Sequence, residues 1–280
     1  MPFTAFALAI CSAFVHALWN LLLARARDSE AATAVALMAG TLVFAPVAAL
    51  TWQIGSAALP YLGASAALEI AYFALLAAAY ERGELSLIYP VARGSAPLLV
   101  AVFSVLLLGT ALRALTVAGV LLVATGVLLV RGVTPRHTGD SARVALLALA
   151  VGATIAAYTL FDKAGLRHAQ PFTYLELVVL PSAIAYPLWI AHRKGRAALR
   201  AEAGLPAVVA GLAMFGAFGL ALAAIRLAPQ AFVPGVQALR ETSVVIAVAA
   251  GALLLGERAG RTRALGAAVV VAGVVALALA

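Results

Sequence analysis

Residues 89–100 read "YPVARGSAPLLV", and residues 236–248 read "VQALRETSVVIAV". Each sets an arginine, Arg93 or Arg240, inside an apolar run long enough for a membrane helix, and Glu241 stands beside the second. Ionisable groups at bilayer depth are costly unless paired or hydrated, so such positions mark function by default. The two arginines lie 147 positions apart, and the same offset carries "LLLG" at 106–109 onto "LLLG" at 253–256, Gly119 onto Gly266 and Gly126 onto Gly273. Matches among Ala, Leu and Val mean little in such a sequence. Two coincident glycines and a coincident arginine mean more. The chain therefore reads as two copies, residues 1–135 and 136–280, of five helices each. A repeat with an odd number of crossings must insert upside down relative to its twin. That is the inverted-repeat plan of secondary transporters, whose substrate site lies near the midplane between the halves.

Composition sets the class. The 280 residues are 65% hydrophobic and 11% charged, with mean hydropathy +1.08, against about 25% charged residues in water-soluble domains. Apolar runs near 3–24, 31–52, 57–80, 84–108, 112–131, 142–163, 170–191, 204–226, 229–255 and 260–280 each match the ~20 residues needed to span a bilayer core. The expected fold is thus an all-α integral membrane protein with ten transmembrane helices. Residues 3–24 read as a retained first helix, since no basic segment precedes them as in a signal peptide. The formal net charge of +8 points to loops held against anionic lipid, with no nucleic-acid partner. Cys11 is the single cysteine, which excludes an internal disulfide and a cysteine-based metal cluster. Gly119 and Gly126 are two helical turns apart, as are Gly266 and Gly273, so helices five and ten are expected to pack closely through these small faces.

Three stretches resemble a known family: "HALWNLLLARA" (16–26), "RGELSLIYPVARGSAPLLVAVFSVLLLG" (82–109) and "LLLGERAGRTRALGAAVVVAGV" (253–274). They are similar to the first, fourth and last helices of the drug/metabolite transporter superfamily, in its ten-helix EamA-type branch. Thr110 stands where the first copy of the family pattern often has the glutamate seen in the second copy as Glu257. The resemblance spans the whole chain. It implies a carrier of small metabolites in a bacterial-type cytoplasmic membrane, placed by analogy beside aromatic and neutral amino-acid exporters.

The candidate site follows from the buried ionisable and aromatic residues. Arg93 and Arg240 are expected to reach one cavity from opposite halves, where a guanidinium grips a carboxylate with two parallel hydrogen bonds. Glu69, Glu176 or Glu241 would receive an ammonium, Glu241 also supplying counter-charge to Arg240. The alternative for either arginine is a structural ion pair with a glutamate of a neighbouring helix. Trp19, Tyr72, Tyr89 and Tyr158 would form an aromatic wall, with Asn20 and Gln237 orienting the polar end. Pro90, Pro97 and Pro234 are expected to bend the two arginine helices. His16, one turn from Trp19 and Asn20, is the candidate proton carrier, or else a neutral histidine bonded between helices.

No HExxH, GxSxG or GxxxxGK[ST] occurs in the sequence, so no catalytic residue, metal site or cofactor is expected. The reading is a secondary transporter exporting amino acids or related metabolites by alternating access, functional as a monomer with a small-molecule substrate and the lipid bilayer as partners. The alternatives are a multidrug or other metabolite efflux carrier, or a flippase for a lipid-linked substrate. Lys and Arg concentrate on the odd-numbered loops, from Arg25 and Arg27 to Arg261 and Arg263, and leave only Arg113, Lys163, Arg167 and Arg226 opposite. The positive-inside rule then places both termini outside, whereas family members are often described with both inside.

Overall fold

The computed structural model describes residues 1–80, 85–131, 141–246, 249 and 261–280. Every regular element among them is helical, and the nearest approach to a strand is one isolated bridge, Ile54 to Ala169. The helices are α1 (Phe3–Ala24), α2 (Ser29–Leu50), α3 (Leu59–Tyr80), α4 (Leu85–Leu108), α5 (Ala114–Arg131), α6 (Ser141–Gly165), α7 (Pro171–Lys194), α8 (Arg196–Glu202), α9 (Leu205–Leu227), α10 (Val233–Glu241) and α11 (Arg261–Leu279). A 22-residue helix such as α1 is about 33 Å long, enough for a hydrocarbon core of roughly 30 Å. Among the described residues, eight helices are long and apolar enough to cross a membrane, and Ala114–Val130 of α5 is a shorter apolar helix.

Local chemistry sets the helix starts. Asp28 caps α2 by accepting from the backbone N–H of Glu30 and Ala31, both at 3.1 Å. Gln170 caps α7 through Oε1, which accepts from Phe172 N at 2.7 Å, and Pro171 opens that helix where its missing N–H costs nothing. Gly195, at φ +83°, occupies the left-handed region that glycine tolerates and separates α7 from the exposed α8, an element the sequence reading left as loop.

The ninth apolar span departs from a single helix over 229–255. A 3-10 turn at Gln230–Phe232 leads into α10. The turn tightens at Thr242, whose N–H bonds to Leu239 O at 3.1 Å, and helix resumes over 243–246. Apart from residue 249, the rest of that span lies outside the described residues. Pro234 falls in the first turn of α10. It therefore starts a helix, where the sequence reading had it bending one.

The helix contacts repeat. Pairing α1 with α6, α2 with α7, α3 with α9, α4 with α10 and α5 with α11 turns the α1–α9 contact into α6–α3, α2–α9 into α7–α3, and α1–α10 into α6–α4. The contacts α2–α7, α4–α10 and α5–α11 map onto themselves. Loop contacts lie at the two ends of α2. At its start, Lys194 Nζ bonds both carboxylate oxygens of Asp28 (2.8 and 2.7 Å) and pairs with Glu30 at 2.7 Å, while Glu202 accepts from Asp28 N at 3.0 Å. Beyond its other end, Gly55 N bonds His168 O and Gln170 N bonds Gln53 O, both at 2.8 Å.

The α5–α11 contact runs backbone to backbone. A Cβ on Gly126 would lie 2.7 Å from Val270 N and 2.8 Å from Gly266 O, and one on Gly273 would lie 2.9 Å from Gly119 O and Val123 N. Peptide groups cannot step aside as a side chain can. Gly126→Leu and Gly273→Leu should each lower the detergent melting temperature, at a cost of about 1–3 kcal/mol or more. Wild-type melting by both variants would show the contact to be dispensable.

Lys194 holds the Asp28 carboxyl below its usual range, chiefly through their hydrogen bond. A lowered carboxylate pKa stabilises the fold above the unfolded value of about 3.9 and loses that contribution as pH falls through the folded value. The pair is partly exposed, so Lys194→Gln should cost at most about 1 kcal/mol at neutral pH. The gap from wild type should close as the pH drops below about 4. Melting curves at both pH values check the sign.

Candidate functional site

Small residues let the helices close on a polar centre. Gly152 of α6 faces Ala92 and Ser95 of α4, where a Cβ would lie 3.0 Å from Ala92 O. The "ARGSA" stretch therefore seats α4 against α6. On the other side, Ser12 Oγ donates to Ala217 O at 2.7 Å, which draws α9 onto α1 and sets Phe218 edge-on to His16, ring centroids 6.2 Å apart.

The arginines of the two halves meet here. Arg93 Nε donates to Glu241 Oε2 at 2.9 Å, and Gln237 Nε2 donates to Glu241 Oε1 at 3.2 Å. Glu241 is fully buried, and both its oxygens are engaged. The expectation that Glu241 would serve Arg240 is corrected in one respect: its direct ion pair is with Arg93. Successive residues on a helix point about 100° apart, so sequence neighbours face different partners. For Arg93, the ion-pair alternative is the arrangement found.

Arg240 is 3% exposed. Its Nη1 donates to Gln237 Oε1 at 3.2 Å and its guanidinium carbon stands 5.4 Å from the Phe218 ring centroid, a cation–π distance. Nε and Nη2 are buried without a hydrogen-bond partner. Buried N–H groups are almost always satisfied, so two on one guanidinium are a chemical feature of this site.

Arg93 Nη2 lies 3.2 Å from His16 Nε2. A guanidinium only donates, so Nε2 accepts, and the imidazole holding this bond is neutral with its proton on Nδ1. Asn20 donates Nδ2 to His16 O at 2.8 Å, which commits that donor to its own helix. Trp19 is half-buried, edge-on to His16 with centroids 4.8 Å apart. Tyr158 and Tyr72 are partly buried against the apolar cluster shared by α3, α4 and α6. Glu176, on α7, is buried with Oε2 unpartnered and joins none of these bonds. Tyr89 lies on α4 with its side chain outside the described residues, and Glu257 lies wholly outside them.

Three further groups, Asp162, Lys163 and Phe218, were not among the sequence candidates. Asp162 is 6% exposed and accepts from Ser65 Oγ at 2.5 Å. Its chain neighbour Lys163 turns away and donates to Ile225 O, Arg226 O and Ala228 O, capping the end of α9. Phe218 is the third. Asp162 was legible as spacing: Tyr158 and Asp162 are four apart on α6, and Ser65, Glu69 and Tyr72 fall at i, i+4 and i+7 on α3, so each set shares a face.

A helical, multi-pass membrane chain with a buried polar centre built by two repeats is the architecture of a small-molecule carrier. The model of the EamA-like transporter family matches residues 3–132 and again 142–279. The chain belongs to that family, within the drug/metabolite transporter superfamily, whose members are membrane transporters of small molecules. A solved crystal structure, titled only as that of a protein, shares the fold at TM-score 0.74 and 17% identity, covering 98% of this chain and 95% of the other. No curated protein matches the sequence.

Removing one partner of a buried ion pair strands the other at a cost of about 3–5 kcal/mol. Arg93→Ala should therefore melt well below wild type in detergent, and adding Glu241→Gln should restore part of the loss. An undiminished melting temperature for Arg93→Ala would show the pair to be unimportant.

Proposed function

We propose that this protein is a ten-helix secondary carrier that exports amino acids or related carboxylate-bearing metabolites across a bacterial cytoplasmic membrane by alternating access. Its halves, residues 1–135 and 136–280, insert with opposite orientation. The loop contacts support this: exchanging the halves turns the contact at the start of α2 into the contact beyond its end, as an inverted pair requires.

The single observation carrying the substrate class is Arg240. Nε–H and Nη2–H lie along one edge of the guanidinium as two parallel donors, the edge that takes a carboxylate bidentately. Both are buried and unpartnered, while Arg93 is engaged by Glu241. The role of substrate anchor therefore moves from Arg93, favoured by the sequence, to Arg240. Trp19, Tyr72, Tyr158 and Phe218 suit an apolar or aromatic side chain, and half-buried Glu69 suits its ammonium.

Lysine keeps the charge and loses the fork, so Arg240→Lys separates geometry from charge. Counterflow of labelled neutral and aromatic amino acids in proteoliposomes should be weakened about 10–100-fold, the worth of a charge-assisted bidentate contact, with melting close to wild type. Full counterflow by Arg240→Lys would overturn the anchor. Flux of a lipid-linked phosphate with no amino-acid counterflow would overturn the substrate class.

A further inference from the structure

The loops at one end of the bundle carry a basic patch. The α1–α2 loop and the α7–α8–α9 segment meet there: Asp28 N donates to Glu202 Oε1 at 3.0 Å, and Lys194 Nζ bonds Asp28 and pairs with Glu30, each at 2.7 Å. Across residues 25–30 and 192–202, six Lys and Arg stand against three carboxylates. All three carboxylates are taken up within this contact, Asp28 and Glu30 by Lys194 and Glu202 by a backbone N–H. Arg25, Arg27, Arg196 and Arg200 are exposed, and among the described residues no hydrogen bond or ion pair engages their side chains. Arg27 is the chain neighbour of Asp28, and Arg200 stands two residues before Glu202. The Asp28–Glu202 bond therefore keeps arginines of the two repeats on adjoining loops.

The short helix α8 is two-sided. Arg196 and Arg200, one turn apart and so on one face, are exposed, while Ala198 and Leu199 pack on the apolar cluster of Ala31, Ala34 and Ile190. Trp189 packs on the same cluster, and the Arg193 guanidinium carbon stands 5.0 Å from its ring centroid. A tryptophan at the end of a membrane helix sits at headgroup level, so an arginine held against its ring lies at the depth of lipid phosphate. Beside these charges, Leu188 of α7 and Leu205 of α9 are 65% and 75% exposed. A soluble anion would leave those leucines in water, whereas an acyl chain covers them. We infer that this end of the protein is a binding surface for anionic phospholipid headgroups. Arg196 and Arg200 take the phosphate, whose oxygens match the guanidinium fork, with Arg25 and Arg27 alongside and the acyl chains against the exposed leucines. The bound lipid links the two repeats through their arginines. This surface lies outside the arginine centre and does not depend on what the carrier moves.

The purified full chain in uncharged detergent, titrated with short-chain phosphatidylglycerol, should bind it saturably, with lipid adducts in native mass spectra. Phosphatidylcholine of the same chain length should bind far more weakly. Arg196→Gln/Arg200→Gln should weaken phosphatidylglycerol binding about 30-fold, from roughly fivefold per basic residue at an anionic lipid surface, and Arg25→Gln/Arg27→Gln should weaken it in the same direction. Arg167→Gln/Arg226→Gln removes two exposed arginines from the opposite end and should leave binding unchanged. Equal binding of phosphatidylcholine, or wild-type binding by Arg196→Gln/Arg200→Gln, overturns the proposal. Equal binding of glycerol phosphate, which carries the phosphate without the chains, overturns it in favour of a soluble anion. An equal loss in Arg167→Gln/Arg226→Gln overturns it in favour of unspecific charge attraction.

Discussion

The buried ion pair between Arg93 and Glu241 is the constraint on which the centre of the molecule depends. It joins α4 of the first repeat to α10 of the second at 2.9 Å, where neither charge has water to fall back on. A buried pair adds little net stability over an apolar substitute, but it punishes any arrangement that separates its members. The pair thus fixes which face of α10 meets α4. With Glu241 turned to Arg93, Arg240 is turned away, over Phe218. The unpartnered edge of its guanidinium is a consequence of where its neighbour went.

Around that pair the helices are set by what they lack. Glycines at the α5–α11 crossing bring peptide groups within 3 Å of where a Cβ would stand, and Gly152 does the same for α6 against α4. Dispersion between closely approaching backbones is the main attraction available between helices in lipid. The small-residue surfaces therefore do the holding, and the few buried polar groups decide register.

Much of this was legible in the sequence, for reasons particular to membranes. Apolar runs of bilayer length announce themselves, and the offset shared by Arg93, Gly119 and Gly126 exposes the repeat. The bonding of the polar centre was not legible. Arg240 and Glu241 are adjacent in sequence and were assigned to each other, yet a helix turns neighbours apart. Pro234 read as a kink because its place in the first turn of α10 depends on a 3-10 turn that has no apolar signature. Lys163 read as a loop charge at the end of the sixth span, and Asp162 beside it was not singled out. Only the three-dimensional contact with α9 shows that the lysine reaches backbone carbonyls and leaves the aspartate without it.

The two loop contacts at the ends of α2 differ in kind. One is made by the Lys194 side chain with Asp28 and Glu30 in partial contact with solvent; the other is backbone to backbone, Gly55 to His168 and Gln53 to Gln170. Counter-ions weaken the first, whose charges are screened over about 8 Å at physiological ionic strength, and leave the second nearly untouched. The two ends of α2 therefore answer differently to the medium. Salt acts on one side only, loosening the Lys194 contact while the backbone contact beyond the other end of α2 holds.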